Sequence, residues 1–171
     1  MIFEPIGRGD LERVAAITNG AYRGQDGATG WTHEGHLVAG DRTTPDELAA
    51  DLAANPEALI LGARESGGGP VLGSVWLNPD GADDWYLGLL AVSLEGQARG
   101  LGKQLMAEAE AWAARAGARR MRLTVIHLRD DLIAWYERRG YRRTGTDEPF
   151  PPQYVTLQPG LRLLHMEKPL G

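Results

Sequence analysis

The chain is predicted to adopt a mixed α/β fold, and three observations predict it. Short apolar segments of strand character alternate with segments of helical periodicity along its 171 residues. One strand segment, WYLGLLAV at 85–92, is apolar almost throughout, as a strand covered on both faces must be. The turn QARGLG at 97–102 follows that strand and opens a helical pattern, the usual place for a phosphate site in such folds.

Each element has its own local signal. Residues 2–6 read as a short strand, and Asp10 stands where a cap is needed for a helix carrying Leu11, Val14, Ala15 and Ile17. Residues 20–40 are glycine-rich but hold Tyr22, Trp31, His33, Glu34 and His36. Thr44-Pro45-Asp46-Glu47 is a capping box with proline at the first helical position, and the helix runs to Asn55-Pro56. Strands at 58–63 and 71–77 are separated by the turn SGGGP, and NPDG ends the second. After 85–92 comes a helix with Leu101, Leu105, Ala109, Trp112 and Ala116 on one face, closed by Gly117. Residues 121–126 form a strand. Asp130 or Asp131 caps a helix bearing Leu132, Ile133, Trp135 and Tyr136, and strands at 141–146 and 161–166 flank a proline-rich loop. The order is β-α-α-β-β-β-α-β-α-β-β, with no repeat and no linker. One domain spanning residues 1–171 is expected.

Composition excludes several functions. With 43% hydrophobic and 24% charged residues the chain is an ordinary globular one. It has no cysteine, so disulfides, thiolate metal sites and cysteine nucleophiles are out. Its four histidines show no ligand spacing, and no metal is expected. No apolar run reaches membrane-span length, and the start MIFEPIGRGD lacks the regions of a signal peptide; a cytoplasmic location and no membrane partner are expected. The net charge of −5 argues against a nucleic-acid binder. Yet residues 99–143 hold eleven Lys/Arg against five Asp/Glu, which suits a polyanionic ligand of modest size.

The turn at 97–102 lies inside that basic half. A helix start leaves backbone N–H groups without intrahelical partners and carries partial positive charge. Gly100 and Gly102 remove side chains that would hold a ligand away, and Lys103 adds a full charge. Phosphate fits this combination best. On the glycines alone, an exposed turn that binds nothing reads equally well. Lys103 is followed by Gln104, so the loop is not a P-loop; Leu105 stands where a dinucleotide fingerprint needs its third glycine.

Two motifs together carry a family resemblance. Leu90-Ala91-Val92 followed by Gln97-Ala98-Arg99-Gly100-Leu101-Gly102 resembles the Q/R-x-x-G-x-G/A signature of the GNAT N-acetyltransferases, and residues 134–141 (AWYERRGY) resemble that family's Y-x-x-x-G-F/Y segment. The resemblance covers nearly the whole chain. It implies a central mixed sheet whose fourth and fifth strands, here 85–92 and 121–126, splay apart to admit acetyl-CoA. It implies pantetheine pairing with the backbone of Leu90, Ala91 and Val92, and the pyrophosphate on amides of Gln97, Ala98, Arg99, Gly100, Leu101, Gly102 and Lys103. Tyr136 takes the position of the family's tyrosine acid, beside Trp135 at the cofactor. Arg129 stands where relatives often carry an asparagine that contacts the cofactor. The implied activity is acetyl transfer to a primary amine of a small molecule or peptide, by direct attack in a ternary complex, in a monomer or homodimer.

The general base is less determined. Strand 85–92 lacks the glutamate many relatives carry, which keeps a non-catalytic acyl-CoA binding or sensing module as an alternative. Glu34, His33, His127, Asp83 and Asp84 are the candidates, with Asp83 and Asp84 expected far from the reaction. Tyr22, Trp31 and Arg42 are expected to face the acceptor, the last two recognising a flat or anionic group.

Overall fold

The structure is a computed structural model that describes residues 1–24 and 34–171. In chain order its elements are β1 (Ile2–Pro5), α1 (Leu11–Arg23), β2 (Val38–Ala39), α2 (Pro45–Ala54), β3 (Leu59–Arg64), β4 (Gly73–Pro79), β5 (Asp84–Val92), α3 (Leu94–Gln97), α4 (Leu101–Arg115), β6 (Arg120–Ile126), α5 (Asp130–Glu137), β7 (Arg142–Pro149), β8 (Val155–Thr156) and β9 (Arg162–Pro169). Seven strands form one mixed sheet in the order β1-β3-β4-β5-β6-β9-β7, and β2 pairs with β8 apart from it.

The sheet buries both faces. On one, α4 and α5 lie over Leu61, Val75, Leu77, Leu87, Leu90, Met121 and Leu123. On the other, α1 and α2 cover Ile60, Val71, Trp76 and Ala91. Helix α4 seats Leu101, Leu105 and Ala109 on the sheet at i, i+4 spacing, as its sequence pattern predicts. The buried stripe then continues through Ala113, leaving Ala116 exposed beyond the helix. Thr44 Oγ1 accepts from Glu47 N–H at 3.1 Å, so Thr44 caps α2. Asp10 holds the N-cap position of α1 without capping it, because its carboxylate is drawn 2.5 Å from Arg64 Nη2. At α5 the N-cap is Arg129 rather than an aspartate.

Helix α4 can lie this close to β4 only because position 73 has no side chain. A Cβ on Gly73 would stand 2.8 Å from Leu105 Cδ1 and 3.2 Å from the Ala91 carbonyl oxygen. Gly73→Val is expected to destabilise the fold by about 1–3 kcal/mol. Thermal melting of the variant checks this, and an unchanged melting temperature would refute the close packing.

Two irregularities in β5 position everything that follows. First, its parallel pairing with β6 covers only Asp84–Arg120, Trp85–Met121 and Tyr86–Arg122. Beyond these pairs the two strands part, which is the splay. Second, the register against β4 slips by one residue: Ser74 faces Ala91 but Trp76 faces Gly88, so Leu89 and Leu90 together oppose Val75. This is a β-bulge. Leu89 accordingly adopts φ +50°, a left-handed conformation unusual for a branched residue. The slip explains why Leu87 and Leu90, three apart, both face α4, while Leu89 and Ala91 face α1.

Candidate active site

The parting strands open a cleft through the sheet, of about 680 Å³ including its mouth. Its walls are Leu87, Leu89 and Leu90 from β5 and Leu123, Val125 and Ile126 from β6. Helix α5 contributes Leu132 and Tyr136, and the end of α1 contributes Tyr22 and Arg23. Glu34, Arg42, Phe150 and Tyr154 enter from connecting segments.

Tyr136 is 5% exposed, wedged edge-on between Trp135 and Tyr141 with ring centroids 5.3 and 5.9 Å away. It therefore both packs in the core and lines the cleft. Among the described residues no hydrogen bond engages its hydroxyl. Burial first, then the nearby Tyr22 and Glu34, push its pKa well above the usual phenol value, so it stays protonated at every physiological pH.

Glu34 is buried and lies in the same cleft. Its Oε1 is 3.2 Å from Arg129 Nη1 and its Oε2 3.6 Å from Arg23 Nη1. Burial raises its pKa more strongly than Arg129 and Arg23 pull it down. Its backbone N–H donates to the Tyr22 carbonyl at 2.5 Å, which fixes the chain at the cleft wall. The other candidate bases fall elsewhere. Asp84 sits at the closed end of the splay, bound twice by Arg120 at 2.8 and 3.0 Å. Asp83 precedes it and accepts backbone bonds from Arg119 and Arg120 through its carbonyl. His127 Nδ1 accepts from Arg162 N–H at 3.1 Å, a strand-end role. His33 and Trp31 lie outside the described residues.

The buried guanidinium of Arg129 engages Glu34 and, at 3.3 Å, Asp131. Trp135 is half-buried, with Arg139 stacked 3.6 Å over its ring.

The glycine turn is more ordered than its sequence suggests. Ser93 Oγ caps the short helix α3, accepting from Gly96 N–H at 3.2 Å. Gln97 Nε2 donates to the Val92 carbonyl at 3.2 Å. The N–H groups of Gln97, Ala98, Arg99 and Gly100 donate to Ser93, Leu94, Gly96 and Gln97 carbonyls respectively. These four amides, expected to face an anion, are thus already engaged. The next three, of Leu101, Gly102 and Lys103, have no protein acceptor among the described residues. Gly100 enters the helix at φ +67°, where glycine is favoured, and a Cβ there would meet nothing within 4 Å. The surface in front of the three amides is therefore unobstructed on that side. The Arg99 side chain is turned to Glu65, while Lys103 is exposed.

Sequence reading missed Arg23, Tyr86, Tyr154 and the bulge. Tyr86 reaches across the splay, its hydroxyl 3.3 Å from Thr124 Oγ1. Gly88 makes room for it, since a Cβ there would stand 2.8 Å from the Tyr86 ring. That lone glycine inside an apolar strand is the available signal of the bulge.

A sheet whose strands β5 and β6 splay apart, with a helix N-terminus just beyond β5, is the geometry the resemblance implies. The sequence profile of the acetyltransferase (GNAT) family matches residues 26–141. The chain belongs to this family. Solved structures agree with that GNAT fold over nearly the whole length. An IAA acetyltransferase from Bacillus cereus ATCC 14579 is similar at 15% identity and TM-score 0.64, covering 99% of both chains. A ribosomal-protein-alanine N-acetyltransferase from Brucella melitensis is similar at 19% identity and TM-score 0.71, covering 99% of this chain and 100% of its own. The ribosomal-protein-S18-alanine N-acetyltransferase from Escherichia coli is similar at 17% identity and TM-score 0.71, covering 99% and 94%. At these identities the likeness shows the fold. No curated protein matches the GNAT chain. Among the described residues no helix is long and apolar enough to cross a membrane, and no group of three or more His, Asp or Glu is placed to hold a metal ion.

Proposed function

We propose that the chain transfers the acetyl group of acetyl-CoA to a primary amine of a small molecule or peptide, by direct attack in a ternary complex. The observation that carries this reading is the cleft itself: it joins the two faces of the sheet, with Tyr136 on the α5 side and Glu34 on the α1 side. A donor entering from one face and an acceptor from the other meet there.

The residues present fit acetyl-CoA. The open amides of Leu101, Gly102 and Lys103 supply an anion site at a helix start, and the Lys103 ammonium adds charge for a diphosphate. Past the Tyr86–Arg122 pair the β6-facing edge of β5 has no strand partner, which leaves backbone groups there for an extended pantetheine arm. Gln97 occupies the Val92 carbonyl, so Leu90 is the residue through which we assign the pantetheine contact.

Acetyl-CoA supplies an activated acyl carbonyl, at which the amine forms a C–N bond as the C–S bond breaks. The chain manages the protons. Glu34 accepts the proton released by the amine and passes it to solvent. Its raised pKa makes it a stronger base than an exposed carboxylate, and a lysine-like amine of pKa about 10.4 has most need of one. Tyr136 donates to the departing sulfur. Its own pKa is high, but burial in the same cleft raises the proton affinity of a thiolate as well. A carboxylate at Glu34, in the cleft where the strand supplies none, supports the catalytic reading over a non-catalytic module.

A screen of primary amines for thiol release from acetyl-CoA tests the proposal. Wild-type turnover is expected on at least one amine. Glu34→Gln is expected to lower kcat/KM about 10²-fold or more. A protein that binds acetyl-CoA but turns over no amine would contradict the reading. The pH profile gives an independent check. As pH falls, a carboxyl of raised pKa takes its proton sooner, so the acidic limb of kcat/KM should lie above the ordinary carboxylate value of about 4.3. In Glu34→Gln that limb should be absent.

A further inference from the structure

We propose that the acceptor is a small amine bearing a carboxylate, of the free amino-acid class, whose carboxylate is held by Arg42 and Arg23. This deepens the acetyl-transfer reading and rests on it. Both guanidinium groups line the cleft.

Arg23 is the more informative. Its side chain is 8% exposed. Its Nε donates to the Gly40 carbonyl at 2.9 Å, which aims the head of the group. Among the described residues its buried Nη1 has no hydrogen-bond partner, although Glu34 Oε2 lies 3.6 Å away. A buried guanidinium nitrogen left without an acceptor costs free energy, and native proteins keep such groups rarely and for a reason. Here the orphan N–H belongs to a residue that faces the cleft.

Arg42 stands beside it. Its Cζ lies 5.6 Å from the Tyr22 ring centroid and 5.8 Å from that of Tyr154. Its Nη1 is 3.4 Å from the Tyr154 hydroxyl. Among the described residues no carboxylate pairs with it, and its nearest acidic influence is on Glu34, already flanked by Arg129 and Arg23. The backbone around Arg42 is rigid: Asn19 Oδ1 accepts from Arg42 N–H at 2.7 Å and Thr43 N–H at 3.1 Å, and Asn19 Nδ2 donates to the Thr43 carbonyl at 2.9 Å. Tyr22 and Tyr154 flank this guanidinium, and Tyr154 takes one of its donors; with no carboxylate partner among the described residues, the remaining donors suit a planar oxyanion, which a guanidinium binds through paired N–H groups.

The charge balance points the same way. Arg23 and Arg42 against Glu34 leave the lining with one excess positive charge, and Arg129 stands behind Glu34. A polyamine would place several cations there and is disfavoured. A peptide N-terminus offers its amine but follows it with a neutral amide. A free amino acid offers an amine for Glu34 and a carboxylate for the two arginines. Phe150 and Tyr154, in edge contact with centroids 5.7 Å apart, give its side chain an apolar wall.

The test compares initial rates of thiol release from acetyl-CoA for a panel of free amino acids, the carboxamide of each, dipeptides with the same first residue, and spermidine. Calorimetry with acetyl-CoA is run on every protein used. The expected result is kcat/KM at least about tenfold higher for carboxylates than for any matched carboxamide or dipeptide, with spermidine lowest. In Arg42→Gln this preference should shrink toward one, through KM for the carboxylates, with acetyl-CoA affinity retained. Carboxamides, dipeptides or spermidine matching the amino acids would overturn the proposal. So would bound acetyl-CoA with no turnover of any carboxylate, which leaves acetyl transfer to another amine standing. Failure to bind acetyl-CoA at all removes the transferase reading, and this one with it.

Discussion

Tyr136→Phe is expected to lower kcat about 10²–10³-fold and to leave acetyl-CoA affinity within a few-fold of wild type. The substitution removes one oxygen and keeps the ring. The ring carries the packing, edge-on to Trp135 and Tyr141, so the fold should be unaffected. The hydroxyl has no hydrogen-bond partner among the described residues, so its loss orphans none of those groups. What disappears is the proton offered to the departing sulfur. Because burial holds Tyr136 protonated far beyond neutral pH, the loss should be the same across the accessible pH range. A purely structural tyrosine predicts the opposite pattern, lowered stability with little change in kcat. Single-turnover kinetics with calorimetry of acetyl-CoA separate the two.

Arg129→Leu should have the largest effect on stability, about 3–5 kcal/mol at neutral pH. The Arg129 and Glu34 side chains are 6% and 8% exposed and 3.2 Å apart, so deleting the arginine leaves a buried carboxylate without its nearest cationic partner among the described residues. Such a loss corresponds to a melting temperature lower by about 10 °C in a domain of this size. The sign of its pH dependence follows from Glu34. Burial already raises the folded pKa of Glu34. Its protonated form is thus favoured by folding below the unfolded value of about 4.3, an advantage lost as pH rises through the folded value. Removing Arg129 raises the folded value further. The deficit should therefore be greatest at neutral pH and shrink toward pH 4. Melting curves for both proteins across that range decide it; a deficit that does not change with pH would mean that Arg129 acts through packing alone.

How far this was legible in the sequence differs from element to element. The α4 stripe and the Thr44 cap of α2 were readable because local spacing alone produces them. The glycine turn was located correctly, but its four-residue helix α3 was not visible, and α3 is what engages the amides of residues 97–100 and shifts the open donors to 101–103. The bulge was hidden because every residue from Leu87 to Val92 other than Gly88 is apolar. An alternation cannot be seen to slip when no polar residue marks it. The splay came from the family resemblance rather than from residue patterns. Glu34 stood out only through the aromatic and polar company of its loop. Its partner Arg129 is 95 positions away, a pairing no local signal encodes. Arg23 fell in the stretch 20–40 read as glycine-rich; the structure extends α1 as far as Arg23, which places it at the cleft.

The central claim is that the free amides at the start of α4 hold a diphosphate while the β5–β6 cleft holds the thioester. A crystal structure of the protein with acetyl-CoA tests it most directly. The account predicts diphosphate oxygens about 2.7–3.2 Å from the N–H nitrogens of Leu101, Gly102 or Lys103, with the acetyl group between Tyr136 and Glu34. Diphosphate bound elsewhere, or the acetyl group outside the cleft, would contradict it.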